Sequence, residues 1–202
     1  MHEFQGKVAV VTGAASGMGR AFAERFAREG MQVVLADIEQ GALDEAVADL
    51  SGVGYEVLGV RTDVMRLEDV EALARRTLDA YGAVHVVCNN AGVEGYLDGA
   101  LWEASPKDWE WTVGVNFWGV VNGVRAFLPL MLAQDQEGHM VNTASATGLV
   151  RASNMYAITK HAVRRSHERY QSGAPARVIT AIEALTDFCG GVAVITGCKR
   201  RR

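Results

Sequence analysis

Residues 12–19 read TGAASGMG, directly after the β-branched run KVAVVT and directly before a segment with helical periodicity. A glycine-rich turn that ends a buried strand and opens a helix is compatible with few folds. In such a turn Gly13 lets the chain reverse sharply, Gly17 removes a side chain where backbone must come close to a ligand, and Gly19 lets the helix lie against the sheet.

The same strand-then-helix rhythm continues along the chain. Residues 7–12, 32–36, 55–60, 84–88 and 139–143 read as strands, and 18–29, 41–50, 67–81 and 106–133 read as helices. Phe22, Phe26 and Ala27 share one side of the first helix, Leu43, Val47 and Leu50 turn inward on the second, and Gly30 closes the first. Strict alternation implies parallel strands, because right-handed crossovers place each helix on a sheet face. The fold class expected is α/β, an open doubly wound parallel sheet with its ligand crevice at the strands' carboxyl ends, in a single Rossmann-like domain.

Composition excludes several alternatives. With 202 residues, 49% apolar and 22% charged, the chain suits one globular α/β domain. A net charge of −4 gives no general attraction to nucleic acid or anionic membrane. Cys88, Cys189 and Cys198 have neither disulfide-framework nor zinc spacing, and the histidines have no metal-ligand spacing. Residues 1–12 do not read as a signal peptide, and no apolar run suggests a membrane span, so a cytoplasmic location is expected. Trp102, Trp109, Trp111 and Trp118 are expected to serve core or subunit packing rather than ligand stacking, and Cys88 to behave as a small hydrophobe.

The glycine turn has the chemistry of a phosphate cradle. Ser16, Gly17, Met18 and Gly19 begin a helix whose first N–H groups and dipole face an anion. Asp37 ends the second strand, where a carboxylate can bond both hydroxyls of an adenosine ribose, with Ile38 beside it. A 2′-phosphate there would be repelled by on the order of 4 kcal/mol per unit charge at about 4 Å. The neighbours Ile38, Glu39 and Gln40 provide no compensating arginine, so NAD is expected over NADP.

In these motifs the chain resembles the short-chain dehydrogenase/reductase family. The T-G-x-x-x-G-x-G pattern is Thr12, Gly13, Gly17 and Gly19, and the Asp-Val pair that the family sets against adenine is Asp63 and Val64. The N-N-A-G pattern is Asn89, Asn90, Ala91 and Gly92, with Asn90 the better cofactor contact and Asn89 tying strands together. The helix-borne Asn is Asn116, the strand-end Ser is Ser145 with Thr143 the alternative, and Y-x-x-x-K is Tyr156 and Lys160. The spacing from Ser145 to Tyr156 is two residues shorter than in many members, which shortens the substrate-side loop at 149–155.

The resemblance implies interconversion of a secondary alcohol and a ketone. An unperturbed phenol titrates near 10, and Lys160, one helical turn from Tyr156, would favour the phenolate and hold the nicotinamide ribose. Ser145 would donate to the substrate oxygen as charge develops, and Asn116 would hold a relay water.

The pattern changes beyond residue 163. The notional domain covers 1–163, and 164–202 reads as a divergent segment replacing the usual substrate-side elements. Arg164, Arg165, His167, Glu168 and Arg169 stand where the family has an apolar stripe and usually pairs subunits, which works against a homo-oligomer. Residues 188–197 (FCGGVAVITG) match residues 4–13 (FQGKVAVVTG) at seven of ten positions. A truncated or misjoined second domain explains that echo together with the polar switch, and a replacement strand at 192–196 is the structural alternative. The rival to an active enzyme is a catalytically weak NAD-binding fragment, and a third reading is an interaction protein with an empty loop.

Overall fold

A computed structural model describes residues 1, 3–149 and 154–173. Five strands, β1 (Val8–Thr12), β2 (Gln32–Asp37), β3 (Val57–Arg61), β4 (Val86–Asn89) and β5 (His139–Asn142), form one sheet in the order β3-β2-β1-β4-β5. Every pairing is parallel. The order reverses beside β1, so the crevice at its carboxyl end opens between the β1 and β4 loops.

Helices α1 (Gly17–Arg28) and α2 (Gln40–Gly52) cover one face. The other is covered by α3 (Leu67–Tyr81), α5 (Gly119–Ala133) and α6 (Met155–Gly173). Two cores result, because alternate strand residues point to opposite faces. Ala9, Val11, Val33 and Leu35 pack with Ala23, Ala27, Leu43 and Leu50. Val10, Val34, Val60 and Val87 pack with Val70, Leu73, Val124 and Phe127 on the far side. Burying each of these valine, leucine and phenylalanine side chains contributes roughly 1.5–3 kcal/mol.

The expected doubly wound sheet is present, with shifted boundaries. The fourth strand begins two residues later than its apolar run, because His85 precedes it and bonds sideways. Val8 donates its N–H to His85 Nδ1 at 3.1 Å, and His85 Nε2 meets Gln136 Oε1 at 2.8 Å.

The stretch expected as one helix is divided. Helix α4 (Pro106–Val113) is started by Ser105, whose hydroxyl accepts from the Asp108 N–H while Asp108 accepts from the Ser105 N–H. A wider, π-type turn over Gly114–Trp118 then joins it to α5. Single turns of this kind often mark functional positions. Two glycines bracket it against the loop after β3: a Cβ on Gly114 would overlap the Met65 side chain, and one on Gly119 would lie 2.8 Å from Val64 Cγ2.

Residues 106–133 are long and apolar enough, by composition alone, to cross a membrane. Here they form a core stretch instead, with Asn116 and Asn122 buried and bonded to loop backbone. Trp102 is 87% exposed and Trp111 and Trp118 are about half exposed, so these three do not serve the core of this chain. Cys88 is buried, and burial pushes its thiol up to about 12. Helix α6 runs past residue 163 to Gly173. The echo at 188–197 and loop residues 150–153 lie outside the described residues.

Candidate active site

The loop after β1 has the form its glycines predict. Gly13 has φ +66, and a Cβ on it would lie 2.9 Å from Ala91 Cα. A Cβ on Gly19 would overlap the Gly13 carbonyl oxygen, so α1 could not approach this loop with any larger residue. Gly17 has φ +52 and faces open space. Ser16 precedes α1 without capping it, and the first turn holds no acid. Unsatisfied N–H groups therefore point into that space, the arrangement that receives a phosphate.

Asp37 stands beside this loop. One carboxylate oxygen accepts the Ala15 N–H at 3.0 Å, and the other accepts the Glu39 N–H at 3.2 Å. The sequence neighbours of Asp37 hold no arginine, but the sheet register places Arg61 directly opposite it on β3. Ile38 is exposed, Val64 is buried, and Asp63 caps its own loop by accepting the Met65 N–H at 2.9 Å.

Thr12 and Asn90 lock the β1 loop to the β4 loop. The Thr12 hydroxyl accepts from the Asn90 and Ala91 N–H groups at 2.9 and 3.1 Å. The Asn90 amide donates to the Thr12 carbonyl at 3.0 Å and accepts from the Thr143 hydroxyl at 3.2 Å. The Asn90 side chain is thus engaged within the protein, which leaves backbone to face a ligand. Asn89 ties strands together as expected, donating to Asn142 Oδ1 at 2.8 Å. The role of Thr12 was not read from the sequence, although its place before the first glycine marked it.

Asn116, Tyr156 and Lys160 converge at the other end of the crevice. Lys160 is 2% exposed, its ammonium donates to the Thr143 carbonyl at 2.9 Å, and it lies 5.4 Å from the Tyr156 ring centroid. Burial pushes the Lys160 pKa down to about 8. A Cβ on Gly92 would sit 3.4 Å from both Lys160 Nζ and Asn116 Oδ1, so the β4 loop passes directly over this pair. Asn116 accepts the Val93 N–H at 2.7 Å and donates to the Val93 carbonyl at 2.8 Å and to Thr159 Oγ1 at 3.0 Å. Thr159 in turn donates to the Tyr156 carbonyl at 2.7 Å. Asn116 therefore clamps the β4 loop to the helical turn carrying Tyr156 and Lys160, through a threonine that the motif leaves unspecified.

Ser145 ends the segment after β5, is buried, and starts the short turn Ala146–Gly148. That turn lies against α6, since a Cβ on Gly148 would be 3.0 Å from the Lys160 carbonyl oxygen. Thr143, the alternative to Ser145, has its hydroxyl committed to Asn90 and its carbonyl to Lys160.

The model of the short chain dehydrogenase family matches residues 7–184. The chain belongs to that family. It is 43% identical over 164 residues to a 1-deoxy-11-beta-hydroxypentalenate dehydrogenase of Streptomyces arenae, covering 80% of this chain and 58% of that one. A crystal structure of a short chain dehydrogenase/reductase from Burkholderia phymatum in complex with NAD superposes with a TM-score of 0.86 at 48% identity, covering 90% of this chain and 66% of that one. A metagenomic short-chain oxidoreductase in complex with NADP superposes at 0.83 with 28% identity, covering 90% and 83%. The chain thus spans somewhat under two thirds of the length of the curated relative it matches.

Proposed function

We propose that this chain is an NAD(H)-dependent oxidoreductase that interconverts a secondary alcohol and a ketone. The observation that carries the reading is the buried Lys160 ammonium held between the Thr143 carbonyl and the Tyr156 ring, with Gly92 over it. Such a cation has little structural value, because desolvating it costs several kcal/mol. Its position serves a phenol that must release and regain a proton.

The dinucleotide would lie from the open space above Gly17 to Gly92. Gly13, Ser16, Gly17, Met18 and Gly19 would hold its pyrophosphate, and Asp37, Ile38, Asp63 and Val64 its adenosine. Asn90, Ala91, Gly92, Tyr156 and Lys160 would hold the nicotinamide half. The chemistry that cofactor would supply there is hydride acceptance from a carbinol carbon or hydride donation to a carbonyl carbon.

The chain's own residues handle the proton. Tyr156 takes the alcohol proton at its phenolic oxygen, or returns it, and Lys160 stabilises the phenolate by charge. Ser145 donates a hydrogen bond to the substrate oxygen and favours the state in which that oxygen carries charge. Asn116 holds the relay end of the site through its clamp on Val93 and Thr159. Proton transfer by a placed side chain contributes about 10²–10⁴ in rate. The chemistry needs no nucleic acid, membrane or metal partner, and the setting it suits is cytoplasmic.

Asp37 favours NAD by repelling a 2′-phosphate, and the NAD-bound relative supports that preference. The reading is tested by titrating NADH through its fluorescence and then assaying a panel of secondary alcohols with NAD. Saturable binding with turnover that Tyr156→Phe abolishes is expected. Binding without turnover would make the chain a nucleotide-binding fragment, and no binding would end the assignment.

A further inference from the structure

The Ser145 oxygen is held from one side by a single residue. The Thr147 N–H reaches Ser145 Oγ at 3.3 Å, and the Thr147 hydroxyl donates to the same atom at 3.0 Å. Among the described residues the Thr147 hydroxyl has no other hydrogen-bond partner. A serine hydroxyl has two acceptor sites and one proton. When the Thr147 hydroxyl is the donor of that 3.0 Å bond, both acceptor sites of Ser145 are filled and the bond left to it is a donation. Its backbone is extended and its position buried, so few other orientations are open to it.

We infer that Thr147 is a positioning residue that makes Ser145 a committed hydrogen-bond donor to the oxygen of the substrate. This rests on the catalytic role proposed above for Ser145. When negative charge develops on the substrate oxygen, the Ser145 proton is drawn toward it, and electron density rises on Oγ. The Thr147 hydroxyl, donating to that atom, strengthens as this happens, so the two bonds support each other. Removing the hydroxyl while keeping the N–H leaves one acceptor site of Ser145 unfilled, and its proton is free to turn away. The loss belongs to the charged state of the reaction rather than to substrate binding, so it falls on kcat.

The test compares Thr147→Val, Thr147→Ser and Ser145→Ala with the parent, using NAD and the panel alcohol that the parent oxidises fastest. Thr147→Val is expected to lower kcat by roughly five- to tenfold, the scale of one hydrogen bond. KM, the NADH dissociation constant and the melting temperature are expected to stay near parental values. Thr147→Ser, which keeps the hydroxyl, restores most of kcat, a rescue that a packing role would not produce. If Ser145→Ala slows the reaction while Thr147→Val turns over like the parent, or if Thr147→Ser is as slow as Thr147→Val, the inference about Thr147 is wrong and the role of Ser145 stands. If the parent shows no turnover, or Ser145→Ala matches it, the catalytic reading itself fails and Thr147 loses its role with it.

Discussion

The Lys160 ammonium lies 5.4 Å from the centre of the Tyr156 ring and is bonded to the Thr143 carbonyl, with the lysine only 2% exposed. One turn of α6 sets the pair's spacing, but the loop after β5 and the loop after β4 set its environment. Placing a cation there opposes folding, and that opposition can be measured.

Burial holds the Lys160 pKa at about 8, below the ordinary lysine value of 10.5. The unfolded chain therefore binds more protons than the folded one between about pH 8 and 10.5, and stability rises with pH across that window. Below pH 8 the charge is carried in both states and its burial cost is fully present. Lys160→Met is expected to raise stability at pH 7 by about 1–3 kcal/mol while abolishing turnover. Urea unfolding at several pH values checks it: the parent should gain stability above pH 8, and the variant should lack that gain.

Gly17 and Gly19 should fail differently. A Cβ on Gly17 meets nothing within 4 Å, so Gly17→Ala costs only the strain of φ +52, about 1 kcal/mol. It nevertheless fills the phosphate space and is expected to weaken NADH binding at least tenfold. Gly19→Ala drives its methyl into the Gly13 carbonyl and is expected to lose both NADH binding and more than 2 kcal/mol of stability. Thermal unfolding beside NADH titration separates the two outcomes.

Asp37 and Arg61 are cross-strand neighbours, and the proposed preference for NAD rests on the Asp37 carboxylate. Asp37→Ser removes the repulsion of a 2′-phosphate and keeps Arg61 on the neighbouring strand, opposite position 37. NADPH affinity is expected to rise by roughly tenfold or more, and NADH affinity to fall, because the Ala15 N–H also loses its partner. Adding Arg61→Gln should reverse the NADPH gain without changing NADH further. Fluorescence titration of both cofactors with the single and double variants decides this.

His85 is neutral by construction, since its Nδ1 must stay unprotonated to accept the Val8 N–H. Burial is the main cause that lowers its pKa below 6.5. Because the folded pKa is depressed, the unfolded chain takes up the proton first, and stability falls as pH drops below about 6.5. His85→Asn, which can still accept from Val8, is expected to flatten that acid-side decline. Melting temperatures between pH 7 and pH 5 provide the measurement, with His139, also lowered by burial, leaving a residual slope.

Much of this protein was legible from local chemistry. Strand and helix periodicity yielded the doubly wound sheet, and Gly13, Gly17 and Gly19 announced a cradle because each answers a backbone requirement within a few residues. Asn116, Ser145, Tyr156 and Lys160 could be named through the resemblance to the family's short patterns.

What the linear pattern could not supply depends on residues far apart in the chain. The π-type turn that brings Asn116 to Val93 lies against Val64 and Met65, and a helical period alone does not reveal it. Arg61 stands beside Asp37 because β2 and β3 are in register, although 24 positions separate them. Thr12, Thr143, Thr147 and Thr159 look like ordinary hydroxyls in the sequence. Only folding shows where each proton goes, because a hydroxyl's partner is chosen by whichever backbone or side chain the tertiary structure brings within 3 Å or so.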